Sequence, residues 1–190
     1  HDHLGGGFHR YTVDPDWAVP HFEKMLYDNA QLLRVYAEAA SALDAPRYRD
    51  VAEGIVTYLE RDMRLKNGAY ASSEDADSEG EEGVFYVWTA HEIHQRLHPA
   101  HAALFCRAYS VDDVGNFEHG TTVLRRNINI DPTNPQLREV QQKVLALRNQ
   151  RERPARDDKA VVAWNALAAG ALARAGRLLN RPDWTQRATE

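Results

Sequence analysis

Cysteine is nearly missing from this sequence: Cys106 is the single one in 190 residues. That excludes an internal disulfide, a CxxC redox pair and a cysteine-based zinc cluster, and it fits a reducing compartment, so a cytoplasmic location is expected. No run of about 18 apolar residues is present to span a bilayer, and no basic-then-apolar amino terminus resembles a secretory signal. Positive charge is also in short supply. The 23 Lys and Arg against 28 Asp and Glu leave a net charge of −5, with no basic stripe to neutralise phosphates, so neither nucleic acid nor an anionic membrane is an expected partner. What is present is globular in character. A hydrophobic share of 43% and a charged share of 27% sit near the norms of soluble domains, and the length is enough for one ordinary domain with a real core. The chain opens on His1-Asp2 without a methionine and stops soon after Pro182-Asp183-Trp184 signals another helix, which reads as a piece of a longer protein.

Periodicity points to helices in pairs. Phe22, Leu26, Leu33, Tyr36 and Ala40 recur at three- and four-residue steps, predicting a long amphipathic helix from Pro20 to Leu43 with Pro20 in its first turn. Asp44-Ala45-Pro46 ends it, and Tyr48, Val51, Ala52, Ile55, Tyr58, Leu59 and Met63 form a second stripe; the short connection predicts an antiparallel helical hairpin. Val84-Phe85-Tyr86-Val87-Trp88 is β-branched and aromatic and predicts a strand, with Ala69-Tyr70-Ala71 as a shorter partner and the acidic residues between them as a wide hairpin tip. Thr89-Ala90-His91-Glu92 reads as a capping box opening a helix to Leu97. Further helices are predicted over Pro99–Tyr109, Pro135–Arg151 and Val161–Leu179, the last rich in alanine and suited to close packing, while Asn116 to Leu124 reads as an extended excursion. The fold class expected is mainly α with a small β-hairpin insertion.

The densest chemistry lies between Gly5 and Asn29. Three consecutive glycines, Gly5 to Gly7, permit close approach of another surface, and imidazole, carboxylate, ammonium and amide groups follow at a loop-to-helix junction, where polar ligands are often recognised. In the predicted helix His21, Lys24 and Asp28 share one face by spacing. His21 is the leading acid/base candidate, because a helix N-terminus disfavours the imidazolium and keeps the ring able to accept a proton; Lys24 and Asp28 also read as an ordinary exposed ion pair. Two carboxyls in different protonation states would suit glycosyl hydrolysis, and a neutral histidine would suit proton removal beside a carbonyl. Trp17, Trp88, Trp164 and Tyr11 could stack on a sugar ring, although aromatic residues are more often core. No metal site is expected. Asp75, Asp77, Glu79 and Gly80 match the first, third, fifth and sixth places of a calcium loop, but Tyr86 stands where the last carboxylate ligand belongs, and His91 and His94 are read as lone surface histidines. Cys106 is read as a small buried hydrophobe.

Gly5-Gly6-Gly7-Phe8-His9-Arg10-Tyr11 and Trp17-Ala18-Val19-Pro20-His21-Phe22-Glu23-Lys24-Met25-Leu26-Tyr27-Asp28-Asn29-Ala30 strongly resemble blocks of the spermatogenesis-associated, thioredoxin-like protein family. Asp75 to Gly83 followed by Phe85-Tyr86-Val87-Trp88, Gly115-Asn116-Phe117-Glu118, and Asp157-Asp158-Lys159 with Ala163-Trp164-Asn165 agree in the same order. The resemblance implies a six-hairpin α/α barrel similar to sugar epimerases of the N-acylglucosamine 2-epimerase kind and to glycosidases, attached to a thioredoxin-like domain that would precede His1. Since six hairpins need twelve helices, residues 1–190 are expected to form a partial α/α toroid, a fragment of that domain lacking the remainder of its barrel. The activity implied is that of a carbohydrate-active domain, an epimerase, isomerase or hydrolase of a sugar-like small molecule without a cofactor. A non-catalytic helical module binding a ligand or partner protein is the other class. The positions carried by the blocks are His21, Glu23, Asp28, Asp77 and Asp158 for catalysis. Arg10, Tyr11, Lys24, Asn29, Trp88, Glu118, Lys159, Trp164 and Asn165 are those for substrate contact.

Overall fold

A computed structural model describes residues 1–131 and 134–190. In chain order its elements are β1 (Tyr11–Thr12), β2 (Pro20–His21), β3 (Lys24–Met25), α1 (Leu26–Leu43), α2 (Pro46–Tyr58), β4 (Ser73–Glu74), β5 (Asp77–Ser78), β6 (Glu81–Glu82), α3 (Ala90–Arg96), α4 (Pro99–Tyr109), α5 (Pro135–Arg148), β7 (Arg156–Asp157), α6 (Val162–Leu178) and α7 (Pro182–Arg187). The protein is mainly α, and its strands are all two residues long. No helix among the described residues is long and apolar enough to cross a membrane. The chain divides into two compact units, residues 1–10, 22–76 and 155–190 in the first, residues 11–21 and 77–154 in the second.

The first unit is built on α1. Its buried Leu26, Ala30, Leu33, Ala37 and Ala40 follow the alternating four- and three-residue step that puts side chains on one helical face. The helix stops where Asp44 takes a left-handed conformation, φ 47°, and α2 returns antiparallel, burying Ala52, Ile55 and Val56. The most extensive partner of α1 is not α2 but α6, whose buried Ala168, Ala171, Leu172 and Ala175 present mostly methyl groups and let the backbones approach. A small sheet, β3-β4-β7, precedes both helices: Met25 closes β3 and begins α1, and β7 lies shortly before α6. Thus α1 and α6 start beside the same sheet. The expected start of the first helix at Pro20 is corrected to Leu26. Residues 20–25 go instead into β2 and β3, pairing with Tyr11–Thr12 and Ser73–Glu74, because long-range strand partners override the local helix signal.

The second unit holds the two hairpins, β1-β2 and β5-β6, with α3, α4 and α5. The β5-β6 hairpin turns at Glu79 and Gly80, both at positive φ (55° and 85°), the geometry favoured in two-residue hairpins. The acidic tip is therefore a tight turn rather than a wide one. Val84 to Trp88, expected as a strand, is a turn with a single bridge from Trp88 to Thr122. Its apolar side chains serve the core: Phe85 and Trp88 are buried, with the guanidinium of Arg148 over Phe85 at 5.1 Å and that of Arg151 over Trp88 at 3.9 Å. Thr89 caps α3 as expected, its hydroxyl accepting from the Glu92 amide at 3.1 Å, and α4 covers Pro99–Tyr109. The expected extended run from Asn116 to Leu124 instead contains a short helical turn, Glu118–Gly120.

Candidate active site

In the first unit Arg10, Glu23, Tyr27, Asp28 and Trp164 form the candidate site. Arg10 leads out of the glycine loop, and its amide donates to the Glu23 carbonyl at 2.8 Å while its guanidinium donates to the Glu23 carboxylate at 2.9 Å. Hydrogen bonds to Glu23 and then Tyr27 raise the Arg10 pKa. Asp28 lies in the first turn of α1. One of its carboxylate oxygens is buried with no hydrogen-bond partner. Burial pushes its pKa above the usual carboxylate range, Arg10 opposes that shift, and the charge of Glu23 adds to it. Two carboxyls of unlike environment thus share one locale, one paired to a cation and the other held toward its neutral form. From the first turn of α6, Trp164 meets the ring of Tyr27 edge-on at 4.9 Å.

Other positions carried by the motif blocks are structural anchors. Lys24, 1% exposed, donates to Asp2 at 2.8 Å and to the Gly6 carbonyl at 2.9 Å and lies over the Tyr58 ring at 4.4 Å. Buried in this way it is not presented to a substrate, and its ion partner is Asp2 rather than Asp28. The buried Asn29 amide grips the backbone of Phe8, accepting from its amide at 2.8 Å and donating to its carbonyl at 3.1 Å. Asn165 holds Tyr70 in the same two-sided way, at 2.7 and 3.0 Å. Trp88 is core. Asp158 pairs with Arg156 at 2.6 Å, and the exposed Lys159 with Asp157 at 2.9 Å.

His21 departs furthest from expectation. It belongs to β2, not to a helix, so the shared helical face with Lys24 and Asp28 and the macrodipole argument both fail. Its Nδ1 lies 2.7 Å from the Glu82 carboxylate, and its ring stacks on Tyr11 at 4.8 Å, all within the second unit. Asp77 is exposed on β5 in register with Glu82. Glu118 lines a cleft of about 310 Å³ in that unit, together with Glu82, Phe117, His119 and Arg151. Arg151 is committed to Glu92 through two bonds of 2.9 Å. Among the described residues no three His, Cys, Asp or Glu side chains are gathered as metal ligands would be.

Tyr27 and His9 were not among the expected site residues, although both stand inside the motif blocks. His9 places Nδ1 2.8 Å from the Phe22 carbonyl; the carbonyl can only accept, so Nδ1 carries the proton. Burial, and then the charge of Lys24, keep its pKa well below the ordinary 6.5. An unfolded chain therefore takes up a proton below pH 6.5 that the folded one refuses, and stability falls as pH drops through that range, at up to about 1.4 kcal/mol per pH unit. Urea unfolding at pH 7.5 and 5.5 is expected to show this loss, and His9→Gln, whose amide can still reach the carbonyl, should flatten it. An equal slope in the variant would remove His9 from the account.

No family model matches the chain. Spermatogenesis-associated protein 20 of Mus musculus is 34% identical over 223 residues, covering 99% of this chain and 28% of that protein. The Homo sapiens protein of the same name is 34% identical over 215 residues, 95% of this chain and 27% of its own length. An uncharacterized protein of Caenorhabditis elegans is 31% identical over 223 residues, 99% of this chain and 30% of its own length. The chain thus spans little more than a quarter of the curated mammalian relatives it matches, and over that segment its similarity to spermatogenesis-associated protein 20 supports the spermatogenesis-associated part of the family name anticipated from the motif blocks.

Proposed function

We propose that this chain is part of a carbohydrate-active helical domain, a partial α/α toroid of the six-hairpin kind in a cytoplasmic protein that also carries a thioredoxin-like domain. It acts as an epimerase, isomerase or hydrolase of a sugar-like small molecule. The observation that supports this reading is the buried, unpartnered oxygen of Asp28 beside the Glu23–Arg10 pair. Asp28, biased toward its protonated form, donates a proton to a departing or rearranging sugar oxygen. Glu23, bonded to the Arg10 guanidinium at 2.9 Å, acts as base or stabilises the positive charge that develops on the sugar ring. Trp164, from the first turn of α6, offers an aromatic wall against Tyr27, the neighbour of Asp28 in α1.

The test is Asp28→Asn in the full-length protein, with epimerisation and glycoside hydrolysis followed by NMR on a panel of neutral sugars. Loss of the acid should lower kcat by roughly 10²–10⁴-fold. The same change should raise the melting temperature at neutral pH. A carboxyl whose folded pKa lies above the unfolded 3.8 ionises in the unfolded chain first, so its cost to stability grows as pH rises through the folded value, and asparagine never ionises. Unchanged turnover in Asp28→Asn sinks the assignment. A non-catalytic module is the second reading, favoured by the use of Lys24, Asn29, Trp88 and Asn165 as anchors; absence of turnover across the panel by the unmodified protein would decide for it.

A further inference from the structure

The loop joining β1 to β2 is locked around a single carboxylate. Asp14 accepts hydrogen bonds from the amides of Asp16 at 3.0 Å, Ala18 at 3.0 Å and Val19 at 2.6 Å, and from the Thr12 hydroxyl at 2.9 Å. Below it the Val13 amide donates to the Val19 carbonyl at 2.9 Å. These bonds, led by that from Val19, bring the Asp14 carboxyl down to about 2, so the lock persists throughout the physiological pH range.

At the apex stands Trp17, 82% exposed and at φ 57°, a left-handed conformation that a bulky side chain adopts only where its surroundings impose it. A large indole in water on a strained backbone contributes nothing to the core. Tyr11 and Val13 of the same hairpin are exposed as well. Rigid display of an apolar ring is what a ligand-contacting residue requires, since little ordering is then left for the moment of binding.

The chemistry around the ring narrows the ligand. Residues 11–21 contain Asp14 and Asp16 but no Lys or Arg, which disfavours phosphates and anionic lipids. A quaternary or primary amine would call for a cage of several rings, whereas one ring stands at this apex and Asp14 is consumed by the backbone. A neutral pyranose fits: one face of C–H groups for the indole, and hydroxyls that the exposed Asp16 can accept from. We propose that Trp17 is a carbohydrate-stacking platform, held by the Asp14 lock and engaging a neutral pyranose; its ligand class rests on the carbohydrate reading above.

The experiment uses the full-length protein with ¹⁵N-labelled tryptophan indoles, the Trp17 signal being assigned by Trp17→Phe, titrated with maltohexaose, cellohexaose and chitohexaose. A saturable shift of the Trp17 indole is expected with at least one of them. Trp88 and Trp184, both buried, should not respond. Trp17→Ala should bind that sugar roughly tenfold more weakly, and Asp14→Ala, which frees the loop but keeps the ring, should weaken it less. Asp28→Asn should leave the shift intact. If no sugar moves the Trp17 signal, or if the signal moves with protein concentration alone, the platform is overturned, in the latter case in favour of self-association. Sugar turnover in the full-length protein with no shift of the Trp17 signal by any of the sugars would overturn the platform while leaving the catalytic reading standing. Binding at Trp17 without turnover in the full-length protein would do the reverse.

Discussion

Adding one methyl group at Gly6 is expected to destabilise the fold by about 3 kcal/mol or more. Gly6 stands at φ 78°, and a Cβ there would drive into the backbone of α2, against the Gly54 carbonyl, with that carbonyl carbon at 2.8 Å. Backbone cannot rotate aside as a side chain can. Gly6 is also tied locally, its amide donating to the Asp2 carbonyl at 3.0 Å. The reciprocal substitution gives the contrast that makes the test sharp. A Cβ at Gly54 would meet only ordinary contacts at 3.8 Å, and alanine inside a helix gains roughly 0.5–1 kcal/mol over glycine. Denaturant midpoints should therefore move in opposite directions, steeply down for Gly6→Ala and slightly up for Gly54→Ala. A wild-type midpoint in Gly6→Ala would mean that the loop does not rest on α2. The same packing sets the candidate site, because the loop runs through Phe8, clamped by Asn29, directly into Arg10.

The helices were legible where the pattern was local. Pro99–Tyr109 was readable from its opening proline and apolar face, and α3 from the reciprocal spacing of Thr89 and Glu92, since capping is an interaction between near neighbours. The start of α1 was not, because Pro20 is as compatible with a strand as with a first helical turn, and the deciding partners, Tyr11–Thr12 and Ser73–Glu74, are distant in sequence. Val84 to Trp88 misled for a related reason: β-branched and aromatic side chains report burial, and here the burial is against arginine side chains rather than in a sheet. The site divides in the same way. Arg10, Glu23 and Asp28 were in the predicted set because charged groups cluster in one short block. Which motif residues are consumed internally could not be read, since the partners that consume them, Asp2 for Lys24, Phe8 for Asn29 and Tyr70 for Asn165, are fixed by tertiary contact.

Lys24→Ala should cost about 3–5 kcal/mol, the usual consequence of breaking a buried ion pair from one side. The ammonium sits between the Asp2 carboxylate and the Gly6 carbonyl, above the Tyr58 ring, with both charged side chains at most 4% exposed. Asp2 in turn accepts from the amides of Leu4 and Gly5 at 3.0 and 2.9 Å, so the pair folds the glycine loop around itself. Removing the cation leaves a carboxylate in a site that water hardly reaches, and the loop must open to hydrate it. Lys24→Met separates charge from packing: it keeps most of the side-chain volume and loses only the ammonium, so it should recover little of the stability. Asp2→Asn added to Lys24→Met removes the stranded charge as well, and the double variant should be more stable than Lys24→Met alone, the signature of coupling within one network. Urea midpoints of the wild type, Lys24→Met, Asp2→Asn and the double variant give the cycle. If Lys24→Ala melts with the wild type, or if the two changes in the cycle simply add, the ammonium does not hold the loop, and Lys24 returns to the set of residues available to a ligand.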